Sequence, residues 1–234
     1  MRLRPIAAAV ALPLAVVSLA ACGESAVQKY AKTAPATIDQ DARNAMGALK
    51  SVHMAGSVDD NGSKITLDMS LDTQGNCVGS ITSGGQKVNL ISVAGSTVYM
   101  KAGAGFWQGA AGMPAATAAT FATKWVTGKS LASFGTICNL KDFLKSINDT
   151  TVAEDKAKVV GTGKVNGVDV VRLQVIDKDK STSTLSVAAS SPHNVLQVTG
   201  SKSAGAVSFT QFNTPVSATA PSGAVNLDQQ LGSN

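Results

Sequence analysis

The ten residues from Ser63 to Asp72 read SKITLDMSLD, and their alternation limits the fold more than any other feature of the chain. In an extended strand Ile65, Leu67, Met69 and Leu71 fall on one side, and Lys64, Thr66, Asp68 and Ser70 on the other. A period of two with one dry face is the pattern of a half-buried strand. The rhythm recurs on both sides. SVHMAGSV precedes it across DDNGS, whose Asn61-Gly62 is a strong hairpin signal. NCVGSIT, QKVNLISV and STVYMKA follow, parted by Ser83-Gly84-Gly85 and by Ala94-Gly95. The first half is therefore expected to be an antiparallel meander.

A helix is predicted ahead of it. From Thr37 to Lys50 the residues Ile38, Ala42, Ala45, Met46 and Leu49 recur at helical spacing, with Thr37 as candidate N-cap. Between Gly103 and about Asp149 the strand rhythm breaks. GAGFWQGAAG reads as a glycine-rich loop, a flexible rim or gate, and PAATAATFATKW as a short helix entered at Pro114. NLKDFLKSIND is a clearer helix, with Leu140, Phe143, Leu144 and Ile147 in one stripe. Strands then resume: AKVVGTGKV and VDVVRLQVID around Asn166-Gly167, then STLSVAAS, NVLQVTG and AVSFTQFN. The tail, from Thr214, is expected to run extended along the surface and to fray over 228–234. Nine or so twisted strands tend to curl. With helices segregated from strands, the class is α+β: a large curved antiparallel sheet, a half-open barrel, covered by helices.

The first residues carry a different signal. Arg2 and Arg4 lead into an apolar run, Ile6 to Ala21, that contains Pro13. This is shorter than the roughly 20 residues of a spanning helix, and it reads as a secretory signal over 1–21. It ends on Leu19-Ala20-Ala21-Cys22, which resembles a bacterial lipobox. That resemblance implies a diacylglyceryl thioether on the Cys22 sulfur and cleavage before it. Two acyl chains give stable anchoring. Residues 22–34 would be a polar tether, 35–227 one domain, and the whole would sit on the extracytoplasmic face of a bacterial membrane.

Two further cysteines, Cys77 and Cys138, remain. Export to an oxidising compartment and an even count favour a disulfide between them; two separately buried thiols are the alternative. Closing a loop of about 60 residues is worth roughly 4 kcal/mol. No metal site is expected, since two cysteines without a neighbouring histidine fall short of four zinc ligands.

Composition removes several function classes. Without residues 1–21 the chain has 18 basic and 15 acidic side chains, a net +3, and no basic run of the kind that binds nucleic acid. Thr127-Gly128-Lys129-Ser130 imitates the end of a phosphate loop, but position 123, where the loop needs its first glycine, is threonine. Gly103 to Gly109 spaces its last glycine one residue too far for a dinucleotide loop. His53 and His193 fall in no serine-nucleophile motif and read as surface strand or turn residues. Asp59-Asp60 and Glu154-Asp155 read as solvated turns, and the sequons at Asn61 and Asn148 carry little meaning in a bacterial product. No enzyme activity and no cofactor are expected.

The order of signal, meander, helical insertion, second meander and proline-marked tail resembles the LppX/LprAFG family of actinobacterial lipoproteins, related in fold to the LolA and LolB carriers. The likeness is carried by SVHMAGSV with KITLDMSLD, by STVYMKAGAGFWQ, by KWVTGKS and by VSFTQFNTPVSATAPSGAV. It implies helices across the mouth of a half-barrel, a hydrophobic cavity, and binding of an acylated lipid or lipoglycan for transfer through the envelope. An envelope transporter or acceptor protein would be a further partner. Apolar positions of the strands supply the expected lining: Ile65, Leu67, Met69 and Leu71, then Val88 and Leu90, then Val171, Leu173 and Val175, then Leu185 and Val187. Phe143 and Leu144 of the helix complete it. Aromatic residues make up only 4% of the chain, which leaves few bulky groups to fill such a space. The alternative is an envelope protein–protein interaction module in which the same residues form a solid core.

Overall fold

Hairpin chemistry sets the strands. A computed structural model describes residues 24–60, 62–148, 156–176, 181–200 and 205–232. The signal segment, Cys22, Asn61, the second half of the Asn148 sequon and Glu154-Asp155 lie outside them. The first meander comprises β1 (Ser51–Asp60), β2 (Ser63–Asp72), β3 (Cys77–Ser83), β4 (Gln86–Val93) and β5 (Thr97–Ala102), followed by the two-residue β6 (Val126–Thr127). The second comprises β7 (Ala157–Val165), β8 (Val168–Ile176), β9 (Thr182–Ala188), β10 (Val195–Gly200) and β11 (Ala206–Thr210). Asn166 and Gly167 join β7 to β8 with φ of 49° and 82°, the left-handed pair that a tight hairpin demands.

The two meanders are one sheet. β1, first of the first meander, pairs antiparallel with β11, last of the second, from His53 opposite Thr210 to Ser57 opposite Ala206. The order is β12-β6-β5-β4-β3-β2-β1-β11-β10-β9-β8-β7, twelve strands among the described residues against the nine or so expected. The sheet is mixed rather than wholly antiparallel, because the short β12 (Val225–Asn226) lies parallel to β6. It does not close: β7 and β12 remain its two edges. Glycine allows the tight approach of neighbouring strands. A Cβ added to Gly56 of β1 would stand 2.0 Å from the Ala206 carbonyl oxygen, and one on Gly79 of β3 would stand 2.1 Å from that of Asp68.

Helices cover one face. α2 (Pro35–Gly47) starts two residues before Thr37, because Pro35 occupies N1, where its missing N–H costs nothing. It buries Ile38, Ala42 and Met46, and packs against α5 (Leu140–Asn148), β7 and β8. Asp39 and Arg43, one turn apart and bonded at 2.6 and 3.1 Å, keep the buried carboxylate satisfied. A 3-10 segment, Lys129–Cys138, leads into α5, and a Cys77–Cys138 disulfide with a Cα separation of 5.4 Å ties that junction to the start of β3.

Three expectations are corrected. The stretch read as a polar tether contains α1 (Ala26–Ala31), opened by a capping box between Ser25 and Gln28 and packed against β7 and β8. The glycine-rich loop is in part α3 (Ala104–Gly109), because Trp107 is buried to 1% exposure and donates its indole N–H to the Ala102 carbonyl at 3.2 Å. The residues expected to fray contain α6 (Leu227–Leu231), capped by Asn226.

Gly56→Ala is expected to destabilise by more than about 2 kcal/mol in denaturant titration, through strand displacement at β11. Gly109→Ala, where an added Cβ meets nothing within 4 Å, serves as the control and should change stability by less than about 0.5 kcal/mol.

Candidate functional site

Cross-strand register aligns the inner-face side chains into rows. One row passes through Met54, Met69, Gly79, Leu90, Met100 and Val126, with Phe209 of β11 on its other side. It is covered: Met69, Leu90, Met100 and Val126 are at most 2% exposed. Phe143 of α5 stacks on Phe209, with ring centroids 6.4 Å apart, which places α5 over this row.

The next row, two residues along each strand, is different. It runs Val159–Leu173–Leu185–Val198–Val207–Gly56–Leu67–Ile81–Val88–Ala102 across ten strands. Leu173, Val88 and Ala102 are buried, whereas Val159, Leu185, Val198, Val207, Leu67 and Ile81 are only half-buried. All six rest against the core cluster. At the middle of the row stands Gly56, where no side chain rises from the sheet. The result is a half-covered aliphatic strip, the trough row, beside the sealed first row.

Every predicted lining residue can now be placed. Met69, Leu71, Leu90, Val171, Leu173 and Val187 are at most 2% exposed, and Val88, Val175 and Leu144 at most 8%. Leu67, Leu185 and Phe143 are half-buried against the same cluster. Ile65, also half-buried, lies beyond it toward the β1–β2 hairpin. The structure thus gathers twelve of the thirteen into one apolar body. Ile81, Val159, Val198 and Val207 are additions. Alternation within their own strands hints at them, but only the register puts them beside Leu67 and Leu185.

Polar groups gather elsewhere. A groove of about 790 Å³ lies at the β6–β12 end, lined by residues such as Ser96, Thr127, Lys129, Thr136, Asn139 and Asp228, and by none of the predicted lining residues. Asp228 accepts from the Ser130 hydroxyl at 2.6 Å and from the backbone N–H groups of Lys129 and Ser130 at 2.5 and 3.3 Å. Thr127-Gly128-Lys129-Ser130 therefore does cradle an anion, and that anion is the chain's own carboxylate. A Cβ at Gly128 would meet that carboxylate at 2.9 Å. Bonds from the Ser130 side chain and the Lys129 amide hold the Asp228 pKa below its ordinary 3.8.

The two histidines have structural partners. His53 Nδ1 lies 3.0 Å from the Ser70 hydroxyl, and His193 donates Nδ1–H to the Ala188 carbonyl at 2.9 Å. His193 also stacks on Tyr30 of α1, centroids 4.2 Å apart, and Tyr30 donates to Asp41 at 3.0 Å. Burial and that carboxylate push the Tyr30 pKa upward. Among the described residues no three His, Cys, Asp or Glu side chains form a group that could hold a metal, and no helix is long and apolar enough to cross a membrane.

The open sheet, twelve-stranded among the described residues and with helices on its inner face, has the fold of two solved mycobacterial lipoproteins. LprF from Mycobacterium bovis superposes with a TM-score of 0.56 at 16% identity, covering 81% of this chain and 97% of LprF. The lipoprotein LppX of Mycobacterium tuberculosis gives 0.51 at 14% identity, covering 80% of this chain and 100% of LppX. No family model matches the sequence, and no curated protein does.

Asp228 has its pKa lowered on folding, so its contribution is present above the ordinary carboxylate pKa and is lost as pH falls through the lower folded value. Protection of the α6 amides relative to their intrinsic exchange rates should therefore fall several-fold in Asp228→Asn at neutral pH, and the unaltered chain should approach the same low protection in strong acid. Equal exchange in the two proteins at neutral pH would show that the carboxylate does not hold the tail.

Proposed function

We propose that this protein is a membrane-anchored lipoprotein that shelters the acyl chains of a lipid or lipoglycan during passage through the bacterial envelope. The observation that carries the reading is the half-covered row on the inner face. Six aliphatic side chains from six strands line up there without full cover. Each methylene of a ligand laid on such a floor gains about 0.8 kcal/mol when fully withdrawn from water. The fold shared with LprF and the lipoprotein LppX supports the same reading, as does the lipobox-like Leu19-Ala20-Ala21-Cys22. Cys22 would carry the anchor, placing the domain on the extracytoplasmic face. The chain would act by binding and release, without catalysis or a cofactor.

The burial pattern refines where the ligand would lie. Met69, Leu71, Leu90 and Val187 pack beneath helices and other core groups, and serve as the wall that keeps the trough rigid. Leu67, Leu185 and Phe143, joined by Ile81, Val198 and Val207, would meet the acyl chains. Ile65 would sit at the outer end, nearer the headgroup.

Organic extracts of the purified lipoprotein should contain a co-purifying acylated lipid beyond the anchor itself, detected by mass spectrometry. Leu67→Asp with Val207→Asp should reduce that lipid at least about tenfold, because two charges then face the apolar chain. Near-UV circular dichroism checks that the variant keeps its tertiary packing, and Leu185→Trp, which fills the trough with apolar bulk, should displace lipid without adding charge. A folded protein that yields no lipid, and that instead captures one stoichiometric protein partner, would establish the interaction-module alternative.

A further inference from the structure

We propose that the outer face of the β7–β8 hairpin is a docking surface for an anionic lipid bilayer, and that it fixes the orientation of the anchored domain. This rests on the lipid anchor at Cys22 proposed above. Of the four large apolar residues exposed among the described residues, three are on this hairpin: Val160, Val168 and Ile176, at 46, 42 and 42% exposure. Val168, Arg172 and Ile176 share the outer side of β8 by alternation. Val170 shares that outer side but is fully covered, so the exposed positions flank it, and the inner side is the buried Val171–Leu173–Val175. Lys158 opposes Gln174 and so joins the same outer face, and the irregularity between Val159 and Gly161 leaves Val160 exposed next to the Gly161–Arg172 pair.

Charge selects the partner. By register, the charged side chains on the outer face of the hairpin are Lys158 and Arg172, both exposed. The nearby ion pair of Lys164 with Asp169, at 2.7 Å, falls on the inner side. Exposed aliphatic groups set among cations, with no carboxylate on this face among the described residues, suit an anionic headgroup layer with apolar material beneath it. Strand addition by a second copy suits the edge less well. β7 is the outermost strand, but its irregularity and its lysines at 158 and 164 are features that block edge pairing.

Chain length selects the place. Gly23, Glu24 and Ser25 alone separate Cys22 from α1, which packs against β7 and β8. Four Cα steps span at most about 14 Å. An acylated Cys22 therefore holds this end of the sheet, and no other end, against the bilayer.

The test uses mature acylated protein in phosphatidylglycerol vesicles that contain brominated phosphatidylglycerol. Tryptophan is placed in turn at Val168 and at Ser83, which is exposed six strands away, and quenching is read against the unaltered protein. Val168→Trp should be quenched strongly and Ser83→Trp should match the background. Adding Lys158→Gln or Arg172→Gln to Val168→Trp should lower the docked-to-undocked ratio about fivefold each, the factor for about 1 kcal/mol per basic residue at an anionic surface. Mass spectrometry of the Cys22 peptide separates the two layers of the argument. An unmodified thiol refutes the anchor, and the orientation falls with it. An acylated protein whose Val168→Trp is no better quenched than Ser83→Trp refutes the docking face alone, as does a Val168→Trp shielded in a dimer without lipid.

Discussion

The pairing of β1 with β11 is the interaction on which the rest of the structure depends. Each meander alone is a run of hairpins with one dry face and nothing to bury it against. The five-residue register from His53–Thr210 to Ser57–Ala206 sets them side by side. It makes the rows on the inner face continuous across strands that lie some 150 residues apart, a separation whose closure entropy grows only logarithmically. Because both meanders share one concave side, one group of helices can cover the whole. The Cys77–Cys138 disulfide joins that cover to the sheet in the row beside the covered one, where Leu71, Cys77 and Leu140 are all buried.

Large side chains are spent on the cover. Phe106, Trp107, Phe121 and Phe134 make a chain of ring contacts around α3 and α4 (Ala115–Phe121), and Phe143 meets Phe209 under α5. The trough row, by contrast, is built from valine, leucine, isoleucine and alanine without a ring, each row having one glycine. Packing density in protein interiors is ordinarily near that of crystals. A chain with so few rings achieves it under the helices and has little left for the next row. The half-exposed floor thus follows from where the bulk is placed rather than from a shortage of apolar residues.

Much of this was legible in the sequence because strand alternation is local. Ile65 to Leu71 announce their common face within seven residues, and Asn166-Gly167 announces its own turn. Cover is not local. Met69 and Leu67 look alike in the sequence, yet one is sealed beneath α5 and the other half-open, a difference made by a helix that begins about 70 positions later. α3 was hidden for a related reason: glycine and alanine gave no helical stripe, and the helix is held by one tryptophan sunk into the core. α6 was hidden because its anchoring carboxylate finds Lys129 and Ser130 at separations of 99 and 98 residues.

The two edges of the open sheet are finished in opposite ways, and the contrast has a mechanical meaning. At the β12 edge the chain turns back on itself: β12 extends β6, and Asp228 fastens α6 to the backbone of the 3-10 segment. Among the described residues β7 has no such clasp: it ends the sheet with α1 and α2 resting against it. α1 is six residues long, too short to hold its shape without tertiary support. It is also the element nearest Cys22 in the chain. A pull on the N-terminus therefore reaches the sheet first at its unlocked edge, next to Val159, where the trough row begins, while the locked edge keeps the covered row and its helices in place. An open sheet gives this asymmetry directly; a closed barrel, with its first and last strands bonded, would spread the same force round the ring.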